Sequence, residues 1–383
     1  MITRREWMKQ AARVTAVAAM PGLLDDRALA KTPVDGIQTI TGEGSLKAHA
    51  AARGLLTGCA VNADLFQNDE TFRNQLAEQY NILVPENCLK WNWLRPTTET
   101  YSFDDADRLV AFAEAHGIKM RGHNFVWHEA LPRWFAGTVN KDNAEKYLVD
   151  HIHTVGGRYK GKIQSWDVVN EAIWIQDGRP DGLRTSSAWF EMLGPGYIDL
   201  AFHTARETDP SALLTYNDYG IEYDNDEEGK KRAAVLSLLR RMKKDNVPID
   251  ALGIQSHIHA ASKDGFSKGV RELTKGAKAL GLQVFITEMD VKDDGVATND
   301  IGERDKIVAD VYRKYLNAAL DGPEIKAVLT WGVTDKNTWL NNGTKFRKEH
   351  PDRPQRPLPF DADYAPTPAF FAMRESFDKA KKR

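Results

Sequence analysis

Two patterns of hydrophobic and polar positions alternate along most of the chain. From about residue 55, short apolar runs of strand length are followed by longer segments with an apolar residue every three or four positions. The short runs, rich in β-branched residues, predict buried strands, and the longer pattern predicts helices with one apolar face. The predicted strands are Leu55–Val61, Ile82–Pro85, Lys119–Trp127, Ile163–Glu171, Leu213–Asn217, Ala251–Ile258, Gln283–Glu288 and Ile325–Trp331.

A predicted helix follows nearly every strand. These helices are Glu70–Tyr80, Asp104–His116, Lys141–Tyr159, Ala188–Thr208 with a Gly-Pro-Gly interruption, Glu227–Lys244, Val270–Leu280, Arg304–Leu320 and Thr367–Lys381. Eight strands that alternate with eight helices predict an α/β protein, a (β/α)₈ TIM barrel in one catalytic domain. The competing architecture is a doubly wound open sheet. That fold normally carries a glycine-rich phosphate turn after its first strand, and no G-x-G-x-x-G occurs there.

Polar side chains stand at the C-terminal ends of most predicted strands. In a barrel these ends meet on one face, where active sites are found. Any one of these residues could serve the fold alone, but so many clusters at equivalent positions indicate a single site. The residues are Glu86, Asn87, Lys90, His123, Trp127, His128, Asn170, Glu171, Asn217, Tyr219, Gln255, His257, Glu288, Asp290, Trp331 and Trp339.

The two glutamates at strand ends, Glu171 and Glu288, suggest a chemistry. Each follows an apolar strand, which would fix the backbone while the carboxyl group projects beyond the sheet. A pair of carboxyl groups on separate strand ends is the equipment of a glycoside hydrolase.

The motifs around these strand ends resemble glycoside hydrolase family 10, the retaining endo-β-1,4-xylanases. The resemblance runs from about residue 47 to the C-terminus, and motifs from seven strands occur in the family's order. It rests on Pro85-Glu86-Asn87 with Lys90-Trp91, Arg121-Gly122-His123 with Val126-Trp127-His128, Trp166–Glu171, Tyr216–Tyr219, Gly253–His257, Ile286–Asp290, and Thr330-Trp331-Gly332 with Asp335 and Trp339.

The resemblance implies a role for each carboxyl group. Glu171 takes the position of the general acid/base, and Glu288 that of the nucleophile in a double displacement with a covalent glycosyl-enzyme intermediate. A retaining mechanism requires carboxyl groups about 5–5.5 Å apart. Asn170 would hydrogen-bond the sugar's 2-hydroxyl group. His257 would lie near the nucleophile, with Asp290 as its supporting partner.

The resemblance also implies a substrate, xylan and xylo-oligosaccharides. Lys90, Asn87 and His123 would hold xylose hydroxyl groups on the non-reducing side. Indole rings offer flat, rigid, apolar faces to sugars, which is the role implied for the three tryptophans. The full predicted substrate-binding set is Glu86, Asn87, Lys90, His123, Trp127, His128, Asn170, Tyr219, Gln255, His257, Trp331 and Trp339.

One short segment departs from the family's pattern. After Trp127-His128 the family usually continues Ser-Gln-Leu-Pro, whereas this chain continues Glu129-Ala130-Leu131-Pro132. The glutamine that the resemblance places on the leaving-group side is therefore an alanine, with a new carboxylate beside it. We expect a weaker leaving-group subsite and an altered substrate preference.

Charge and cysteine content narrow the class of partner. The chain has 52 basic and 54 acidic residues, and this balance argues against nucleic acid or an anionic membrane as the main partner.

Two cysteines, Cys59 and Cys88, do not make a disulfide framework or a four-cysteine zinc site, and two buried thiols are favoured over a bridge. His151 and His153 lie two apart in a predicted helix and so point in different directions. His257 and His259 have no apparent third ligand, so we expect no metal and no cofactor. We expect a monomer.

The N-terminus resembles an export signal. Arg4-Arg5 is followed by a bulky apolar pair, a lysine, a mildly apolar stretch and the small-residue site Ala28-Leu29-Ala30. This pattern is typical of twin-arginine signals, and the stretch is too short for a membrane span. We therefore divide the chain into a signal at residues 1–30, a leader at 31–44 and a catalytic domain at 45–383. The mature protein would be periplasmic or extracellular.

Two alternative functions remain open. A retaining glycosidase of the same barrel type could act on β-1,4-glucan or aryl glycosides instead of xylan. A carbohydrate-binding protein without catalysis could use the same barrel, but it would be expected to have lost one of the two carboxyl groups, and both are present.

Overall fold

The computed structural model describes residues 39–383. The predicted signal at residues 1–30 and most of the predicted leader lie outside this part of the chain. The described residues contain nine strands, β1 (Leu56–Val61), β2 (Ile82–Pro85), β3 (Lys119–Val126), β4 (Ser165–Asn170), β5 (Leu213–Asp218), β6 (Ala251–Ile254), β7 (His257–His259), β8 (Gln283–Lys292) and β9 (Ile325–Thr330).

Eight of these strands close into a parallel barrel. β1 to β6 pair in chain order, β6 continues to β8, β8 to β9, and β9 returns to pair with β1. The predicted (β/α)₈ barrel is therefore confirmed, and the open doubly wound sheet is not the fold. Closure leaves no exposed sheet edge in the barrel and gathers the C-terminal ends of all eight strands on one face.

The prediction of one sixth strand across Ala251–Ile258 was wrong. The strand stops at Ile254 because Ser256 has φ +67°, in the left-handed region, which interrupts regular pairing. The chain then resumes as β7, which pairs with the end of β8 in the register His257↔Asp290 and His259↔Lys292. We call these two short segments, His257–His259 and Asp290–Lys292, the β7–β8 ribbon.

The helices cover the outside of the barrel. They are α1 (Leu46–Ala51), α2 (Ala63–Asn68), α3 (Glu70–Gln79), α4 (Trp91–Leu94), α5 (Asp104–Ala115), α6 (Phe135–Thr138), α7 (Ala144–Arg158), α8 (Ala188–Leu193), α9 (Tyr197–Thr208), α10 (Asp226–Lys244), α11 (Ser267–Ala279), α12 (Ile301–Ala319), α13 (Lys345–Glu349) and α14 (Pro368–Lys379). Short 3₁₀ turns occupy Gly42–Gly44, Ile175–Asp177, Gly194–Gly196, Asp335–Asn337 and Trp339–Asn341. The predicted interruption between α8 and α9 is present.

The strands divide the apolar core into two layers. On β2, Ile82 and Val84 belong to a small cluster with Phe285 of β8, whereas Leu83 belongs to the large cluster that contains the helix residues. β9 repeats this alternation, since Val328 joins the large cluster and its neighbours join the small one. Side chains two apart on a strand share a face, so the small cluster fills the barrel and the large one lies beneath the helices.

Other sequence predictions can be compared with the described residues. Cys59 and Cys88 are both free and buried, which confirms the prediction of two unpaired thiols. The last residues assigned to the leader contact the barrel's helices, because the Gly42 amide donates to Glu78 Oε1 at 2.6 Å. Among residues 39–383 no helix combines the length and the apolar character that crossing a membrane requires.

Candidate active site

The C-terminal ends of the strands open into a cleft of about 590 Å³. All the predicted catalytic and substrate-binding residues line it except His128, and the supporting residue Asp290 lies behind it. The barrel thus brings together side chains that are separated by up to about 250 positions in the sequence. The predicted residues on its wall are Glu86, Asn87, Lys90, His123, Trp127, Asn170, Glu171, Tyr219, Gln255, His257, Glu288, Trp331 and Trp339.

The backbone of Glu171 is held in an unusual conformation at the end of β4. Its φ is +59°, in a region that non-glycine residues rarely adopt and that costs of order 1 kcal/mol or more. Neighbouring groups hold it there: the Glu171 amide donates to the Asn217 carbonyl at 2.9 Å, and Arg184 Nε donates to the Glu171 carbonyl at 3.0 Å. Backbone strain of this kind is typical of functional positions.

The Glu171 carboxyl group is buried and receives three hydrogen bonds. Trp127 Nε1 donates to Oε2 at 2.9 Å, and Gln255 Nε2 and Asn170 Nδ2 donate to Oε1 at 2.9 and 3.1 Å. The side chain is 8% exposed. Burial raises the pKa of Glu171, the bonds from Gln255 and Trp127 oppose this rise, and the charges of Asp218 and Glu288 add to it. The net result is a raised pKa, so Glu171 keeps its proton to a higher pH than an ordinary glutamate.

Glu288 has very different neighbours at the middle of β8. Asn217 Nδ2 donates to its Oε1 at 2.7 Å, and His257 Nε2 lies 3.4 Å from its Oε2. His257 Nδ1 is paired at 3.0 Å with Asp290 Oδ1, whose other oxygen accepts from Trp339 Nε1 at 2.8 Å. Burial alone would lower the pKa of His257, but Asp290 and Glu288 raise it to about 10. A cationic imidazole therefore lies beside Glu288 and favours negative charge there.

A chain of amide groups connects the two carboxyl groups. Asn217 Nδ2 donates both to Glu288 and to Asn170 Oδ1, the latter at 2.9 Å. Gln255 Nε2 lies within hydrogen-bonding distance of Asn170 Oδ1 (3.2 Å) and Glu171 Oε1 (2.9 Å). Thr287 Oγ1 fixes Asn217 by donating to its Oδ1 at 2.7 Å. Displacement of either carboxylate would disturb the other through this network.

Cationic and aromatic groups form the wall at the ends of β2, β3 and β9. Lys90 Nζ donates to Asn87 Oδ1 at 3.0 Å and lies 5.2 and 5.6 Å from the ring centroids of Trp127 and Trp331. Burial lowers the pKa of Lys90 against the opposing influence of Glu288, Glu86 and Glu171. The ammonium group is thus close to several carboxylates and is packed between indole rings.

Internal partners fix His123 in the same wall. His123 Nδ1 lies 3.0 Å from Asp167 Oδ2, and Asp167 is paired with the buried Arg121. The edge of the His123 ring faces Trp331 at a centroid distance of 5.2 Å. The other ring nitrogen, Nε2, lies 3.2 Å from Asn124 Nδ2, so both nitrogens of the ring are held by neighbouring side chains.

The position of Glu129 corrects the interpretation of the departure from the family's pattern. Glu129 lines the cleft and raises the pKa of Lys90 through its charge, so the two residues are neighbours. The Ala130 carbonyl also accepts a bond at 2.8 Å from Asn92, in the helix that follows Lys90. The departure therefore lies on the side of Lys90, which the resemblance assigns to the non-reducing sugars, and not on the leaving-group side.

The structure places His128 behind the catalytic wall. It is half-buried and lines a separate small cavity with Trp189 and Tyr197, and its Nδ1 lies 3.9 Å from Glu171 Oε2. Burial, with the charges of Arg184 and Lys231, lowers the pKa of His128 to about 4. A neutral imidazole here adds bulk beside Glu171 without adding charge.

Tyr219 belongs to the opposite wall, which the loop after β5 forms. Lys231 Nζ lies 3.8 Å from the centroid of its ring and donates to its carbonyl at 2.6 Å. Lys231 is also paired with the buried Asp218 at 2.8 Å. The loop is thus held by a buried charge pair that leaves the Tyr219 ring on the cleft surface.

The cleft wall includes residues that the strand-end pattern did not identify. They come from the β5–α10 loop, from the first turn of α10 and from the β7–β8 ribbon. Asn217, which was named only as a polar strand end, is the central donor of the amide chain. The additional wall residues are Gly220, Glu222, Tyr223, Glu228, His259 and Lys292.

Residues 39–383 contain no group of three or more histidine, cysteine or acidic side chains placed to bind a metal ion. The two buried carboxyl groups, one with a raised pKa and one beside a cationic imidazole, define the class of site. It is the acid and the charged carboxylate that glycosidic bond cleavage requires.

Comparison with known proteins agrees with this class. The model of Glycosyl hydrolase family 10 matches residues 45–376. The chain therefore belongs to glycoside hydrolase family 10, as the motifs indicated.

The similar proteins include several xylanases. The chain is 35% identical over 317 residues to endo-1,4-beta-xylanase B of Thermotoga neapolitana, an alignment that covers 82% of this chain and 85% of that one. It is 33% identical to endo-1,4-beta-xylanase A of Thermoanaerobacterium saccharolyticum, of which it spans 26% of the length. The crystal structure of xylanase 10B from Thermotoga petrophila in complex with xylobiose is similar with a TM-score of 0.76 and 33% identity, covering 88% of this chain and 97% of that one.

Proposed function

We propose that this protein is an endo-1,4-β-xylanase that hydrolyses internal β-1,4-xylosidic bonds of xylan and xylo-oligosaccharides. One observation carries the proposal: Glu171 and Glu288 share a cleft and an amide network but lie in opposite electrostatic surroundings. An open cleft, in place of a closed pocket, suits attack within a long polymer. Membership of the family and the named activity of its relatives support xylan as the substrate.

In the first step, Glu288 attacks the anomeric carbon of the sugar on the non-reducing side of the bond. A bond forms between its carboxylate oxygen and that carbon, and the bond to the glycosidic oxygen breaks. Glu171 gives its proton to the departing oxygen, which leaves as the new hydroxyl end of the leaving sugar. Its raised pKa keeps that proton on Glu171 to a higher pH than an ordinary glutamate would.

In the second step, water completes the hydrolysis. Glu171, now a carboxylate, takes a proton from water while the water oxygen attacks the same anomeric carbon, and the ester bond to Glu288 breaks. Two inversions at one carbon retain the β configuration. The negative charge of Glu288 contributes to the raised pKa of Glu171. Ester formation removes that charge, so the pKa of Glu171 falls when its role changes from acid to base.

The neighbouring groups support these two steps. The His257 cation, held by Asp290, stabilises the Glu288 carboxylate before attack. Asn217 Nδ2 fixes that carboxylate and also donates to Asn170 Oδ1. We assign Asn170 to the 2-hydroxyl of the reacting sugar. A bond to that hydroxyl strengthens as positive charge develops at the anomeric carbon.

Xylose units are held by the wall at β2, β3 and β9. We assign Glu86, Asn87, Lys90 and His123 to the sugar hydroxyl groups on the non-reducing side, with Trp127, Trp331 and Trp339 as flat apolar surfaces. The bonds between Lys90 and Asn87 and between His123 and Asp167 hold these donors in place before sugar arrives. Such preorganisation lowers the cost of ordering on binding.

A rate comparison on two polymers tests the substrate. We expect release of reducing sugar from unsubstituted xylan, little from carboxymethylcellulose, and a loss of about four orders of magnitude or more on xylan in Glu288→Ala. Glu207→Ala, on the outer helix α9, is the matched control and should keep wild-type activity. Equal or faster hydrolysis of carboxymethylcellulose would assign the chain to β-1,4-glucan, and full activity in Glu288→Ala would reject the nucleophile.

We also propose that the protein is exported by the twin-arginine route and acts as a monomer outside the cytoplasm. The support is the Arg4-Arg5 pattern, together with the fact that the large apolar side chains exposed in the described part of the chain are Trp93 and Ile301. Replacement of both arginines by lysine should retain the enzyme in the cytoplasm. Export of the doubly substituted protein at the wild-type level would contradict the route, and a dimer mass in sedimentation would contradict the monomer.

A further inference from the structure

The β7–β8 ribbon carries two opposed pairs of residues beside the cleft. His257 lies opposite Asp290 and holds Glu288, and one step further along the ribbon His259 lies opposite Lys292. Side chains two apart on a strand point to the same face, and His257, His259 and Lys292 all line the cleft. Two residues of strand span about 6–7 Å. The second pair therefore lies about one sugar unit beyond the first.

Lys292 is a cation without an acidic partner in this wall. Its ammonium group lies 4.9 Å from the centroid of the Trp339 ring, and it forms no ion pair within residues 39–383. The nearest acidic group on the ribbon's continuation, Asp294, is 4.0 Å from His259 Nδ1. Partial burial and the charge of Lys292 lower the pKa of His259. At neutral pH His259 is therefore a neutral hydrogen-bonding group, and Lys292 carries the positive charge.

The other two cations of the cleft, His257 and Lys90, are already compensated. His257 is paired with Glu288 and Asp290. Lys90 is surrounded by carboxylates, since Glu288, Glu86, Glu171 and Glu129 all act on its pKa. The remaining wall is acidic, with six glutamates in all: Glu86, Glu129, Glu171, Glu222, Glu228 and Glu288. Those of the glutamates that are ionised would repel an anionic group on the substrate, and the ribbon end at Lys292 is where such a group would be attracted.

We propose that Lys292 is a specificity-determining residue that binds the carboxylate of an acidic sugar substituent on xylan. The proposal rests on the xylanase function proposed above. An unsubstituted xylose chain carries only neutral hydroxyl groups, so it offers no charged partner for this ammonium. A uronic acid branch on a sugar bound beside the cleavage point would place a carboxylate within reach of Lys292, and His259 opposite would add a hydrogen bond. Trp339, beneath the ammonium, packs its apolar face against the sugar ring.

The test uses one polymer in two chemical forms. Glucuronoxylan is assayed before and after its carboxyl groups are reduced to alcohols, so that the two substrates differ in charge alone. For wild type we expect the ratio of kcat/KM, native over reduced, to fall as salt is raised, because an exposed charge pair is screened. In Lys292→Gln that ratio should fall about fivefold, as for loss of one partly exposed charge pair.

Two further variants complete the experiment. Lys292→Arg keeps the charge and should keep the wild-type ratio. Lys336→Gln is the matched control, since Lys336 also lies over an aromatic ring, 5.1 Å from Tyr364, but outside the cleft wall. An unchanged ratio in Lys292→Gln, or a wild-type ratio that does not respond to salt, would overturn the proposal while the xylanase function stands. Wild-type enzyme that hydrolyses neither form would instead reject the xylanase function, and this proposal with it.

Discussion

Glu171 and Glu288 have the same side chain but receive different partners from the fold. Glu171 is enclosed by Trp127, Gln255 and Asn170, and burial raises its pKa. Glu288 is 5% exposed, yet it lies beside an imidazole whose own pKa is raised to about 10. Separation of two carboxyl groups into an acid and an anion is the requirement for a double displacement. At the scale of single residues, hydrogen bonds and burial therefore assign the two roles.

The bond from Trp127 to Glu171 predicts a change in pH dependence. The indole N–H stabilises the ionised carboxylate, so its removal in Trp127→Phe should raise the pKa of Glu171 further. Because Glu171 must be protonated to act as acid, the fall of kcat/KM on the alkaline side should move to higher pH. Trp331→Phe also removes an indole from the cleft wall but makes no bond to Glu171, and its alkaline limb should not move. A limb that stays in place or moves to lower pH in Trp127→Phe would contradict this account.

The sequence predicted which residues form the catalytic pair, but it did not predict the side chains that surround them. Glu171 directly follows an apolar strand and Glu288 ends the apolar run of β8, and such a position in a barrel is enough to place a side chain on the catalytic face. The sequence did not predict the bridging role of Asn217. Its partners, Asn170 at the end of β4 and Glu288 on β8, come close to it only because of the order of the strands in the barrel. Glu129 was placed on the wrong side because the packing of its loop on the helix after Lys90 is a tertiary contact.

At the scale of elements, the approach of β3 to β4 depends on one glycine. Gly122 of β3 lies beside Trp166 of β4, and a Cβ atom at Gly122 would overlap the indole ring. Trp166 is fully buried and stacks on Phe125 at a centroid distance of 4.0 Å. His123 lies on β3, and Glu171 directly follows β4. The close packing of these two strands therefore sets the distance between two walls of the cleft.

Gly122→Ala should destabilise the protein by more than about 2 kcal/mol, since a buried ring has little room to move. The free energy of unfolding in urea measures this. Gly157→Ala is the matched control, because Gly157 lies inside α7 and a Cβ atom there meets nothing within 4 Å. Alanine is the better helix former, so this control should gain about 0.5–1 kcal/mol. Equal stability of the two variants would contradict the packing argument.

The strand and helix order was predictable because the hydrophobic period differs between strands and surface helices. The break after Ile254 was not predictable, because tertiary hydrogen bonds fix the left-handed backbone of Ser256. The Ser256 amide donates to Glu222, and the Ser256 hydroxyl lies 2.7 Å from Tyr315 Oη. The shortest helices, α4, α6 and α13, were also missed. Segments of four or five residues are too short to show a period.

At the scale of the whole molecule, His257 links the active site to stability. Its pKa is raised to about 10 in the folded protein, against about 6.5 for an unfolded chain. A raised folded-state pKa means that this group's contribution is fully present below about pH 6.5 and is lost as pH rises through about 10. The charge that prepares Glu288 therefore also contributes to the stability of the barrel.

This linkage predicts a pH-dependent difference between wild type and His257→Gln. The free energy of unfolding of wild type should exceed that of the variant most at pH 6, and the excess should shrink steadily between pH 7 and pH 10. Urea unfolding at a series of pH values measures both proteins under the same conditions, so that other titrating groups largely cancel. An excess that is constant or grows with pH would show that His257 is neutral in the folded protein.

Closure of the barrel brings the separate strand ends together in one active site. β4 and β8, which carry the two carboxyl groups, are separated by β5 and β6 in the ring, and Asn217 and Gln255 at the ends of those strands supply the connecting amides. The two walls of the cleft belong to opposite arcs of the same ring. β2, β3 and β9 supply Lys90, His123 and Trp331, and the loop after β5 supplies Tyr219.

The central claim is that Glu288 and Glu171 act by double displacement. Proton NMR of the first products released from xylohexaose, recorded before mutarotation, tests it most directly. We expect the newly formed reducing ends to be in the β configuration, and this signal to be absent with Glu288→Ala. New reducing ends that appear first in the α configuration would show a single displacement and would contradict the assignment of Glu288 as nucleophile.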